Sequence, residues 1–262
     1  MKIELDTIMY QKLSKYGTDI PSLGLGTWDL KQSECSRVVS EALGLGYRHI
    51  DAAAMYENES EVGAGIIDSR VDRAELFLAT KINTLGWTPS GGQGPQLKNK
   101  NIIKSLEKSL EDLKTDYVDL LYLHWPERNV PMFGQYKFDP EMEYKDGIKI
   151  DWVSIEEQLT TLGELVVSGK ARFIALSNEW SWGVMEFIRI AREKGLPVIC
   201  NVQNNYSLLN RIAELGLTEI MYREGVSFFP YSPLGFGHLT GKYLKNPQER
   251  GRVNLFKGYA QR

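Results

Sequence analysis

The chain is poor in the residues that mark most other chemistries. Of its 262 residues only two are cysteine and three are histidine. Cys35 and Cys200 lie far apart, with no C-x-x-C spacing. That argues against a disulfide framework and predicts two reduced thiols in a cytoplasmic setting. So few imidazole and thiolate donors leave little to hold a transition metal, and none is expected. Charge of one sign is not in excess. A net charge of −3 gives no footprint for nucleic acid or an anionic membrane. No apolar run approaches the roughly 20 residues that cross a bilayer. The start, MKIELDTIMYQKL, does not read as a secretion signal. The Gly-x-Ser-x-Gly elbow, the His-Glu-x-x-His zinc motif and the phosphate loop ending in Gly-Lys-Ser/Thr are absent. The Gly91-Gly92-Gln93-Gly94 run lacks that ending and reads as a surface loop.

What is present is ordinary in amount and regular in order. Apolar residues make up 42% and charged residues 25%, as in soluble globular proteins. Seven short apolar or β-branched runs, at 23–27, 47–51, 76–81, 118–124, 171–177, 198–204 and 226–231, read as strands. Amphipathic runs at 33–45, 58–68, 99–113, 154–168, 181–194 and 209–223 read as helices. The third helix is the clearest, with Ile103, Leu106, Leu110 and Leu113 on one stripe. Ser154 followed by Glu157 reads as a capping box. Gly46, Gly169 and Gly195 fall where helices should stop. Strict strand–helix alternation, with strands apolar on both faces, predicts a parallel sheet with helical crossovers. No composition break marks a linker, so one (β/α) barrel domain over 1–262 is expected. The segment before residue 23 is read as a hairpin closing the barrel bottom. The long connection 127–152, rich in aromatics such as Phe133, Tyr136, Phe138 and Tyr144, has two readings, a substrate lid or a surface insertion.

Each strand ends in a polar or unusual residue. The second ends at Asp51 with Tyr56 just beyond, the third at Lys81, and the fourth at His124. In a barrel these ends converge on the face where catalytic groups collect. Singly each has a bland reading: a helix-capping aspartate, a packing tyrosine, a solvated lysine, a satisfied histidine. Four titratable types at the ends of three successive strands are better explained together, by carbonyl reduction. Hydride delivery to a carbonyl leaves a developing alkoxide that needs a proton donor. Tyr56 fits that role if a nearby Lys81 draws its acidity into range. Asp51 then anchors the lysine, and His124 donates a hydrogen bond that orients the substrate oxygen.

The stretch Gly46-Tyr47-Arg48-His49-Ile50-Asp51-Ala52-Ala53, with Glu59 and Val62-Gly63 after it, resembles the first signature of the aldo-keto reductases. The segments HWPER, ALSNEW, QNNYSLLNR and YSPLGFGHLTGKYL resemble the Tas-like branch. That resemblance implies a (β/α)8 barrel and NAD(P)H-dependent reduction of a small carbonyl substrate, with NADP(H) preferred and NAD(H) left open. It implies the tetrad Asp51, Tyr56, Lys81 and His124. It further implies that Ser177, Asn178 and Gln203 hold the nicotinamide carboxamide, that Tyr231 stacks on its ring, and that Ser232, Leu234, Gly237 and Lys242 line the pyrophosphate. Gly26, Thr27 and Trp28 join the cofactor site, and Trp28, Trp87 and Trp125 shape the substrate pocket around Tyr56 and His124. Seven strands rather than eight are legible, so a fragment lacking the eighth strand–helix unit and its 2′-phosphate motif is expected. The other function compatible with such a barrel is a cofactor-binding, redox-responsive regulatory subunit with little turnover.

Overall fold

A computed structural model describes residues 10–13, 18–82, 98–131, 137–145, 147–149 and 151–256. Two three-residue strands, β1 (Tyr10–Lys12) and β2 (Asp19–Pro21), form an antiparallel hairpin. There follow β3 (Gly24–Gly26), α1 (Gln32–Gly44), β4 (His49–Asp51), α2 (Glu59–Ser69), β5 (Phe77–Ile82), α3 (Asn99–Leu113) and β6 (Val118–Leu123). A small antiparallel pair, β7 (Tyr144–Lys145) and β8 (Ile148–Lys149), interrupts the alternation. It resumes with α4 (Ile155–Val167), β9 (Ala171–Ser177), α5 (Ser181–Lys194), β10 (Asn201–Asn205), α6 (Leu217–Glu224) and β11 (Ser227–Tyr231), and ends in two single turns, α7 (Lys242–Lys245) and α8 (Arg252–Leu255).

Seven of these strands form one parallel sheet in the order β11-β10-β9-β6-β5-β4-β3. All seven expected strands are there, each within a few residues of its expected bounds. The sheet is curled. In a flat sheet β4 and β10 would stand about 19 Å apart, four steps of roughly 4.8 Å. Instead Gln203 of β10 reaches Asp51 of β4 at 3.2 Å. At the other end of the strands, the rings of His49 on β4 and Phe229 on β11 lie 5.2 Å apart. The concave face holds Phe77, Ala79, Leu120, Tyr122, Ala175 and Phe229, and the hairpin adds Leu13 and Ile20 to this cluster. The hairpin therefore plugs the bottom, as expected. The convex face packs on the helices through the larger core, which includes Leu78, Leu121, Ile174 and Val202. The fold is α/β, of the (β/α)8 barrel type; an eighth strand–helix unit is missing among the described residues.

Helix ends follow local chemistry. The Ser154 side chain accepts from the Glu157 backbone N–H at 3.1 Å and opens α4, and Gly195 closes α5 with φ +64°. Two readings of the sequence need correction. The run at 209–223 is not one helix: a 3₁₀ turn (Ile212–Leu215) stops at Gly216, whose φ of +142° is unavailable to a helix, and α6 begins after it. The 127–152 connection is not plain loop, since it carries a 3₁₀ turn (Pro140–Glu143) and the β7–β8 pair. Phe133 and Tyr136 in it, the glycine run 91–94 and Trp87 lie outside the described residues. Cys35 and Cys200 are buried and free. Burial, aided by Glu61, pushes the Cys35 thiol up to about 11.

Close helix packing depends on α2. A Cβ at Gly65 would stand 2.5 Å from the Ser36 carbonyl oxygen and 2.8 Å from Val39 Cβ on α1. Gly44 in α1 has open space around it. Gly65→Ala should therefore cost about 1–3 kcal/mol through overpacking, whereas Gly44→Ala should gain roughly 0.5–1 kcal/mol from helix propensity. Urea denaturation of the two variants checks both signs; equal effects would show that α1 and α2 do not pack this closely.

Candidate active site

The carboxyl ends of β4, β5 and β6 bring four side chains together. Asp51 is the last residue of β4, and Tyr56 ends a 3₁₀ turn (Ala54–Tyr56) just after it. Lys81 is the penultimate residue of β5, and His124 follows β6 with its N–H held by the Ile82 carbonyl at 3.1 Å. Lys81 is fully buried. Its ammonium donates to Asp51 Oδ2 at 2.6 Å, to the Ala52 carbonyl at 2.8 Å and to the Tyr56 hydroxyl oxygen at 3.3 Å. An ammonium has three protons, and here each has an acceptor. The Tyr56 oxygen is thus an acceptor toward Lys81, which leaves its own O–H free to donate elsewhere. His124 meets the Tyr56 ring edge-on at 5.7 Å, and Trp125 stacks beside His124 at 6.0 Å.

The electrostatics keep three groups in defined states. Burial alone would lower the Lys81 ammonium, but Asp51 and Tyr56 outweigh it, so its pKa is raised and it stays charged. Burial raises the Tyr56 phenol more than Lys81 lowers it. The expectation that lysine draws the tyrosine down is therefore met only as an opposing pull, and the net direction is upward. Burial, with Lys81 adding to it, holds His124 well below the usual histidine range, so its imidazole is neutral.

A second layer runs from β9 to β11. The Gln203 amide donates to Asp51 Oδ1 at 3.2 Å, so both carboxylate oxygens are engaged. Ser177 Oγ donates to the Gln203 carbonyl at 3.1 Å. The Asn178 side-chain amide donates to the His124 carbonyl at 2.9 Å and to Ser177 Oγ at 3.1 Å, and the Tyr231 hydroxyl donates to Asn178 Oδ1 at 2.8 Å. Asn178 and Ser232 both adopt left-handed backbone, with φ of 57° and 55°, where the chain turns out of a strand. Asp51, Tyr56, Lys81, His124, Ser177, Asn178, Gln203 and Tyr231 thus form one connected cluster. Gly26 ends β3, and Thr27 and Trp28 follow it beside the cluster, with Thr27 Oγ1 donating to the Asp51 carbonyl at 3.1 Å. Ser232, Leu234, Gly237 and Lys242 lie on the connection beyond β11, where Lys242 Nζ donates to the Arg250 carbonyl at 3.1 Å.

Three supporting residues were given no role in the site from the sequence, although Glu59 belongs to the signature stretch. Asn58, buried, donates to the Thr27 and Leu30 carbonyls at 2.8 and 2.9 Å and fixes the loop carrying Trp28. Glu59 accepts from Thr80 Oγ1 at 2.5 Å and Ser109 Oγ at 2.8 Å beneath Lys81. Arg252 of α8 lies 4.6 Å over the Trp28 ring, near enough to Tyr56 to pull its pKa down. Asn58 had a signal, since it stands where a helix cap belongs; Arg252 had none, because only the fold returns α8 to β3.

The chain matches the family model described as the aldo/keto reductase family over residues 22–257. It is 34% identical to Protein tas of Escherichia coli, an alignment covering 97% of this chain and 76% of that protein. It is 31% identical to the NADPH-dependent D-xylose reductase of Meyerozyma guilliermondii, covering 92% of this chain and 72% of that one. The crystal structure of a thermostable aldo-keto reductase in complex with the inhibitor epalrestat superposes with a TM-score of 0.69 at 29% identity, covering 92% of this chain and 79% of that one.

Two predictions test the cluster. Asp51→Asn strands a buried ammonium and should destabilise the protein by about 3–5 kcal/mol, while Asp51→Asn combined with Lys81→Met should recover much of that loss. Guanidinium titration of both variants reads the difference, and a double variant no more stable than the single would refute the pairing. Second, the His124 imidazole should remain neutral well below pH 6.5, as seen by nitrogen chemical shifts in NMR. Its folded pKa lies below the unfolded value of about 6.5, so the unfolded chain takes up the proton first, and this contribution to stability is lost as pH falls below that point.

Proposed function

From the premise that the chain belongs to the aldo/keto reductase family, within its Tas-like branch, and is an aldo-keto oxidoreductase, we propose that it reduces aldehydes or ketones to alcohols with a reduced nicotinamide cofactor, NADPH preferred, and with Tyr56 as proton donor. The observation that carries this reading is the hydrogen-bond saturation of Lys81. It points the Tyr56 oxygen at the ammonium and frees the phenol proton for a substrate oxygen.

The residues present fit such a cofactor. Neither Lys242 nor Arg252 has a carboxylate partner among the described residues, so both remain available to a diphosphate. Phe236 and Gly237 are left-handed in succession, with φ of 56° and 99°, and curl the backbone toward Lys242. A Cβ at Gly237 would come within 3.1 Å of the Lys242 side chain. On the other side of the site, Ser177, Asn178 and Gln203 offer the donors and acceptors that a carboxamide needs. When bound, a reduced nicotinamide supplies the hydride.

The chain's own residues supply the rest. His124, neutral, donates a hydrogen bond to the substrate carbonyl and sets its angle. The Tyr56 hydroxyl stands beside that oxygen and gives up its proton as the alkoxide develops. Lys81⁺ holds the oxygen that is left behind and stabilises the phenolate charge. Asp51, fixed by Gln203 and Lys81, keeps the ammonium aimed. Trp28 and Trp125 wall the substrate and limit water.

Tyr56→Phe should lower kcat by roughly 10²–10⁴-fold, the range of positioned acid catalysis, and leave NADPH affinity almost unchanged. The assay is NADPH consumption with an aromatic aldehyde, paired with cofactor titration by fluorescence. A wild-type rate in the variant would remove Tyr56 as the donor. Cofactor binding by the unmutated chain without turnover of any carbonyl would favour the regulatory-subunit reading instead.

A further inference from the structure

A second cavity, of about 940 Å³, lies outside the curled sheet. It is bounded by the helix-facing side chains Leu123 of β6 and Leu176 of β9, the first turns of α4 and α5, and the segment 125–131. The tetrad is on the concave side of these same strands, so the cavity adjoins the candidate active site and shares two residues with it: Ser177 and Trp125 both line the cavity, and Trp125 stacks beside His124.

Two features of the lining define a chemistry. Four of the chain's six tryptophans, Trp125, Trp152, Trp180 and Trp182, face the cavity. The wall is braced, because the Trp180 indole donates to the Pro131 carbonyl at 3.0 Å. The lining also holds five carboxylates, Glu127, Glu143, Glu156, Glu179 and Glu186, against one guanidinium, Arg128. Arg128 is paired to Glu179 and lies 4.9 Å over the Trp182 ring, so the site already holds one cation between an indole face and a carboxylate. Arg189 and Lys194 pair with Glu186 and Glu156 from outside the lining. Glu179, Glu186 and Glu156 thus each have a cation, whereas Glu143 has no ion pair among the described residues.

We propose that this tryptophan-walled, carboxylate-rich cavity is a second small-molecule site that takes an organic cation with an aromatic or apolar body. Indole faces attract cations through the ring quadrupole, more strongly when water is excluded. The volume lies within the 300–1,000 Å³ range of drug-sized sites. The Glu143 carboxylate, with no ion pair among the described residues, disfavours an anion of the same shape. This cavity adjoins the proposed cofactor and substrate cleft at Trp125 and Ser177, and binding to it is read without turnover.

The test uses three probes of nearly equal size and different charge: benzylammonium, benzyl alcohol and benzoate. Each is titrated against the whole protein at pH 7 without cofactor, following tryptophan fluorescence. Benzylammonium should saturate and bind about fivefold or more tighter than benzyl alcohol, with benzoate weakest. Glu143→Gln should weaken benzylammonium about threefold and leave benzyl alcohol unchanged, and Trp152→Leu should weaken both. Thermal melts confirm that the variants remain folded; Glu143 is at the rim, so its variant keeps the test decisive should Trp152→Leu fail to fold. Benzyl alcohol binding as tightly as benzylammonium, no saturable binding of the cation, or an unchanged affinity in Glu143→Gln would each overturn the proposal.

Discussion

The site is organised around one buried ammonium. Lys81 has no exposed surface, and a charge so placed is costly unless each of its protons is matched. The fold meets that demand with three acceptors from one short stretch: the Asp51 carboxylate, the Ala52 carbonyl and the Tyr56 hydroxyl. This requirement explains the local chain path. The strand β4 must end at residue 51, the backbone must turn so that a carbonyl faces inward at residue 52, and a 3₁₀ turn must bring residue 56 back over the ammonium. Tyr56 is thus positioned by the solvation needs of Lys81, before any substrate enters.

The curl of the sheet adds what these neighbours cannot. Asp51 has two carboxylate oxygens, and Lys81 takes only one. The second is engaged by Gln203, four strands away in hydrogen-bonding order and 152 positions away in sequence. From there the network continues through Ser177 and Asn178 to His124 and Tyr231. Strands from both halves of the chain therefore share one cluster. The hairpin plug and the interior cluster of aromatic and aliphatic side chains hold that curvature at the opposite end.

Much of this was legible in the sequence because it rests on periodicity and on strand ends. The seven strands and the polar residues at strand termini follow from where apolar runs stop, and the α3 stripe holds at Leu106, Leu110 and Leu113, although Ile102 is fully buried where Ile103 was expected and Ile103 is only partly buried. What was not legible depends on three-dimensional return or on competing energies. Gly216 interrupts the expected 209–223 helix because its φ of +142° is outside the helical range, and an apolar repeat running through it carries no mark of that. The β7–β8 pair is too short to show an alternating pattern. Arg252 reaches Trp28 across more than two hundred positions. The direction of the Tyr56 shift is a contest between burial and a neighbouring charge; residue identity supplies the charge and says nothing of the burial.

That contest bears on the proposed chemistry. A tyrosine held low by lysine would lose its proton at neutral pH and have nothing to donate. With burial dominant the phenol is protonated at rest, and the Lys81 charge is reserved for the moment a phenolate forms. His124 is kept neutral by the same burial and by Lys81, so in the proposed reaction it would donate one hydrogen bond without adding a second positive charge beside the first. A charged imidazole there would oppose Lys81 and compete to protonate the substrate. On the proposed reaction, burial of the site would therefore do two things at once: hold Tyr56 and His124 in the states that carbonyl reduction requires, and strengthen the field of the one cation that would stabilise the product of proton transfer.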